Sequence, residues 1–155
     1  MLGTMPGAMP GTIIESFSLG KAAAGAIAFA LTIGAARAEP PRVVASINPI
    51  HSLVAGVMRG VGAPTLLLRG AGSPHGYALR PSHARALGNA DIIFWVGPGM
   101  EDFLAKPLAI LSGGAKAVAL STTPYVELPN GGEHDLHIWL DPANAKALVR
   151  TIALE

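Results

Sequence analysis

Four short apolar runs, each separated from the next by a stretch of helical spacing, constrain this chain more than any other feature. They are Val43–Ile47, Thr65–Leu68, Asp91–Val96 and Ala117–Leu120. Each is nearly continuous rather than alternating, the pattern of a strand covered on both faces. Between them, Pro49–Arg59 places Ile50, Leu53, Val54 and Val57 on one side, with Pro49 suited to a first helical turn. Pro81–Asn89 and Met100–Leu111 read as two further helices, the second with a kink expected at Pro107. The order β-α-β-α-β-α-β predicts a parallel four-stranded α/β sheet flanked by helices, joined by right-handed crossovers. Ligands of such sheets bind in the loops beyond the carboxyl ends of the strands.

The first 38 residues are set apart from this pattern. Lys21 precedes the apolar stretch Ala22–Gly34, and Ala36-Arg37-Ala38 supplies a small-x-small site, the parts of a secretory signal peptide. The apolar stretch is shorter than the roughly 20 residues of a membrane span. Residues 1–38 are therefore expected to be a signal peptide cleaved after Ala38. Residues 1–20 hold no Lys or Arg and carry Glu15, so the true start is expected nearer Lys21. Without Lys21 and Arg37, and without Glu15, the remaining basic and acidic residues balance. That neutrality argues against nucleic acid and against an electrostatic membrane patch. The absence of cysteine excludes disulfides, thiolate metal ligation and lipid anchoring through cysteine.

Five histidines, His51, His75, His83, His134 and His137, are then the leading candidates for transition-metal ligands. His75 lies on the loop Gly70–Tyr77 after the second strand, and His137 lies just before the last helix. Neutral imidazole suits zinc at about 2.0–2.1 Å in a tetrahedral shell. The other three are expected to be structural: His51 hydrogen-bonded to a neighbouring loop, His83 exposed, His134 on a flexible loop. Trp95 and Trp139 are expected to pack rather than bind. Asp141-Pro142 reads as an N-cap and first-turn pair, with Asp141 also a candidate to orient the His137 ring.

The wording around these residues resembles a known family. Val43–Val54, which contains Ser46-Ile47-Asn48-Pro49-Ile50-His51, is similar to the opening of the zinc-binding periplasmic components of bacterial ABC uptake transporters, the ZnuA-like receptors of the metal-binding cluster A-I family. Ser73-Pro74-His75-Gly76-Tyr77-Ala78-Leu79-Arg80-Pro81-Ser82 resembles the family's first ligand motif, and His137-Ile138-Trp139-Leu140-Asp141-Pro142 its second. Ala90–Glu101 resembles its third strand and following turn. The resemblance implies that His75 and His137 are metal ligands, with Zn2+ as the transported ion ahead of Mn2+. It also implies a periplasmic, monomeric, non-enzymatic receptor that docks on an ABC permease. Residues 39–140 would be the N-terminal metal-binding lobe and 141–155 the start of the helix joining it to a second lobe. The last helix shows no stop signal, so the chain is expected to be incomplete and to bind zinc weakly by itself. Pro74 stands where some members carry an acidic ligand, and only Gly131–Asp135 remains of a His/Asp-rich loop. A non-transporting metal chaperone or adhesin on the same fold is the alternative reading. A zinc hydrolase is disfavoured, because neither motif carries the His-Glu-x-x-His pattern or an evident general base.

Overall fold

The computed structural model describes residues 39–69, 79–111, 113–128 and 135–155. The expected signal peptide, His75 with its loop, and His134 lie outside the described residues. Residues 39–155 form one compact unit. Its order is β1 (Val43–Ala45), α1 (Asn48–Val57), β2 (Thr65–Leu66), α2 (Pro81–Gly88), β3 (Ile92–Trp95), α3 (Asp102–Leu111), β4 (Lys116–Ala119) and α4 (Pro142–Leu154). Single 3-10 turns stand at Leu120–Thr122 and Ile138–Leu140. The strands are all parallel in the order β2-β1-β3-β4, with Val44 opposite both Thr65 and Ile93, and Phe94 opposite Val118. The expected fold class is the one observed.

The near-continuous apolar strands follow from cover on both faces. Successive side chains of a strand point to opposite sides, and here each side meets a helical layer. Val43, Ala45, Phe94 and Val118 join Ile50 and Val54 of α1 and Leu148 and Ile152 of α4 in one core. Val44, Ile93 and Trp95 turn the other way, onto Leu87 of α2 and Leu104 and Leu108 of α3. Ile50 and Val54, one helical turn apart, are fully buried. Burying such a side chain is worth about 1.5–3 kcal/mol, so a polar substitution at either would weaken the packing of α1 on the sheet. Pro107 lies within α3 without ending it.

The amino end of the sheet is tied by charge. The Asp91 carboxylate accepts from Arg42 N at 2.7 Å, Nε at 3.2 Å and the guanidinium at 2.7 Å, while Asp91 N donates to Arg42 O at 2.8 Å. This fork joins the entry to β1 with the entry to β3 in full view of solvent. The carboxyl end is tied by backbone groups instead. Ser46 N donates to Phe94 O at 3.0 Å, Leu68 N to Ser46 O at 2.9 Å, and Ser121 N to Val96 O at 2.8 Å. These bonds extend the sheet past its last formal residues, so the loops that follow start from a fixed platform.

Candidate metal centre

His137 reaches the carboxyl end of the sheet through its neighbour. Leu136 lies against the turn after β3, where a Cβ added at Gly99 would stand 3.0 Å from Leu136 Cδ1. Gly99 has φ +91°, a conformation that favours glycine, and an added Cβ would press on the end of the Leu136 side chain. The His137 side chain is about half exposed. Its Nδ1 lies 2.7 Å from Asp135 Oδ1, and the same oxygen accepts from His137 N at 2.9 Å. The ring meets Trp139 edge-on with centroids 5.1 Å apart. Donation from the His137 backbone and ring together holds the Asp135 carboxyl below its usual pKa. A carboxylate on Nδ1 fixes the tautomer that leaves Nε2 as an acceptor, the arrangement that orients and strengthens a metal-ligating imidazole.

The orienting carboxylate is thus Asp135 and not Asp141. Asp141 serves as the cap of α4, its Oδ1 accepting from Ala143 N at 2.7 Å and Asn144 N at 2.9 Å. The spacing Asp135-Leu136-His137 is a sequence signal for this geometry, since an aspartate often bonds the backbone two residues on. His51 Nε2 bonds to Pro64 O at 3.1 Å, tying α1 to the entry of β2; this matches the structural role expected of it. His83 departs from the expected exposure. It is half-buried on α2, and its Nδ1 accepts from Arg80 N at 3.2 Å. Burial and the Arg80 charge both push the His83 ring pKa down. Trp95 is buried beneath the sheet edge and Trp139 half-buried, both packed against core residues.

The segment carrying His75 leaves from Arg69 and returns at Leu79. Arg69 and Arg80 line one groove at the β2 edge, with Thr65, Ser82 and His83. Both ends of that segment therefore stand together just beyond β2. Among the described residues no three His, Cys, Asp or Glu side chains converge as a complete metal site. His137 and Asp135 form an oriented pair to which further donors would have to be added. No helix of the described residues is long and apolar enough to cross a membrane.

A parallel α/β lobe that presents an oriented histidine beside the carboxyl end of its sheet defines a class, the metal-receptor lobe. Residues 43–155 match the family described as zinc-uptake complex component A, periplasmic, and the chain belongs to that family. The high-affinity zinc uptake system protein ZnuA of Brucella abortus is 39% identical over 160 aligned residues, covering 74% of this chain and 48% of the relative. The protein of the same description from Paracoccus denitrificans is 35% identical, covering 76% and 48%. Among solved structures, the periplasmic zinc-binding protein TroA from Treponema pallidum superposes with a TM-score of 0.63 at 25% identity, covering 73% of this chain and 42% of that one. The Zn(II)-bound ZnuA-like domain of AdcA from Streptococcus pneumoniae has the same TM-score and identity. The chain spans about half the length of the curated relatives it matches.

Proposed function

We propose that this chain is the lobe bearing His75 and His137 of a periplasmic zinc receptor that hands Zn2+ to the permease of an ABC uptake transporter. The observation that carries the reading is the Asp135–His137 pair, which leaves Nε2 of an exposed imidazole ready to bind a metal. The family, and relatives described as high-affinity zinc uptake proteins, support zinc as the ion. A nitrogen and oxygen donor set without cysteine suits zinc and leaves manganese as the lesser competitor. Residues 1–38 act as the export signal, and the mature receptor works as a monomer in the periplasm. The ion is cargo: it is captured, carried and released, and no bond of a substrate is made or broken.

Titration calorimetry with zinc tests the reading in the complete protein. His137→Ala and His75→Ala are each expected to lower zinc affinity by at least about tenfold, in line with loss of a metal ligand or its support. An unchanged affinity for either variant removes that residue from the ligand set.

A further inference from the structure

Three polar side chains are buried at the carboxyl edge of the sheet, Ser46, Glu101 and Ser121, and the metal reading uses none of them. Glu101 is the costly one, a carboxyl with no solvent exposure at all. Its Oε2 accepts from Val96 N at 2.6 Å. Its Oε1 and the Ser46 hydroxyl are the two buried side-chain oxygens, among the described residues, that lack a well-formed hydrogen bond. Burial pushes the Glu101 carboxyl up from its usual pKa, against the opposing pull of Ser46 and of the Val96 and Gly97 amides. The Ser46 hydroxyl is the side-chain partner of this carboxyl, and because a hydroxyl rotates it can donate to the charged form or accept from the protonated one.

The carboxyl sits at the closing residue of a tight turn. Glu101 N donates to Gly97 O at 3.1 Å, and Gly99 N donates to Asp102 Oδ1 at 2.7 Å. Gly97 and Gly99 take φ values of +135° and +91°. The outer surface of this turn is where Leu136 rests, between Asp135 and His137. A path of direct contacts therefore runs from Ser46, at the end of β1, through Glu101 and the Gly97–Glu101 turn to the peptide that carries the exposed imidazole.

We propose that Glu101 is a positioning residue for His137: its carboxyl, pinned between Val96 N–H and the Ser46 hydroxyl, holds the Gly97–Glu101 turn against Leu136 and so sets where the His137 ring stands. The consequence for zinc rests on the proposed ligand role of His137, but the placement of the ring does not.

Nitrogen-15 NMR of the full chain separates the two. Without metal, Glu101→Ala is expected to shift the His137 ring nitrogens and the Trp139 indole while leaving His51, whose ring is tied to Pro64 O at the entry of β2, unmoved. Glu101→Gln is expected to restore the wild-type positions, because its amide can accept from Val96 and donate to Ser46. Ser46→Ala should move the same two residues by less. With zinc added, the affinity read from the His137 signals should fall about tenfold in Glu101→Ala and recover in Glu101→Gln. A folded Glu101→Ala with His137 and Trp139 unmoved overturns the proposal, as does a Gln variant no better than Ala. If Glu101→Ala does not fold, unmoved signals in Ser46→Ala overturn it. Wild-type His137 signals indifferent to zinc would sink the ligand reading alone, and the metal-free spectra would still judge the placement.

Discussion

The two ends of the sheet are held by opposite means. At the amino end, Arg42 and Asp91 make a bidentate ion pair with side chains 62% and 44% exposed. At the carboxyl end, Glu101 is wholly buried, its Oε1 and the Ser46 hydroxyl both lack a well-formed hydrogen bond, and two glycines in conformations other residues avoid precede it. Exposed pairs cost little to form and contribute little. A buried, half-satisfied carboxyl costs stability unless its partners are in place. The amino end therefore does a job that many residue pairs could do. The carboxyl end carries groups whose cost is justified by what they position, and it is the end where Leu136 and His137 gather.

The contrast breaks most visibly at Gly97. A Cβ there would stand 2.4 Å from Ser121 Oγ, on a backbone with φ +135°. Gly97→Ala should destabilise the fold by about 3 kcal/mol, from strain and clash together. Adding Ser121→Ala removes the clash and should recover about 1 kcal/mol, the strain remaining. Chemical denaturation measures both. Full recovery in the double variant would show that crowding, and not backbone conformation, rules this end.

How much of this was legible in the sequence divides along the same line. The strands Val43–Ala45 and Ile92–Trp95 were legible because burial on both faces leaves an unbroken apolar run. The order β2-β1-β3-β4 was not, since nothing local says on which side of β1 the second crossover returns. The Asp141 cap of α4 was legible from Asp-Pro alone. His137 was picked out through its motif, but its partner was sought in Asp141; the nearer Asp135 was overlooked because a flexible loop was expected there. Glu101 was passed over entirely. Charge in a sequence signals solvent, and only the packing of the turn on β1 and β4 shows that this carboxyl is inside. His83 misled in a smaller way: it is half-buried, with its ring turned back to accept from Arg80 N.

Titration gives the next largest effect, and the two ends should answer with opposite sign. Glu101 has a raised pKa in the fold, so its contribution is complete below its ordinary value of 4.5 and is lost as pH rises through the raised value. Asp91, held by the Arg42 fork at about 2 against an ordinary 3.8, contributes above 3.8 and is lost as pH falls toward 2. Melting temperature followed from pH 2 to 8 should fall toward higher pH through Glu101 and only slightly toward acid through Asp91, because the Arg42–Asp91 pair is exposed to water. Glu101→Gln should flatten the higher-pH limb and leave the acid limb, and Asp91→Asn should do the reverse. If Glu101→Gln left the higher-pH limb intact, the decline would have to come from another group.

The smallest effect is expected from breaking the ion pair at neutral pH. Asp91→Asn keeps an oxygen to accept from Arg42 N and Nε and removes the charge and the acceptor for the Arg42 terminal nitrogen, in a place where water already solvates both partners. Its melting temperature should lie close to wild type, and the small difference should shrink further as salt screens the wild-type pair. The His137 and Trp139 signals should not move at all, because the pair lies at the opposite end of β1 and β3 from the turn that seats Leu136. A large loss of stability in Asp91→Asn, insensitive to salt, would mean that the fork organises the register of β1 on β3. The amino end would then be as demanding of its residues as the carboxyl end, and the division of labour between them would fall.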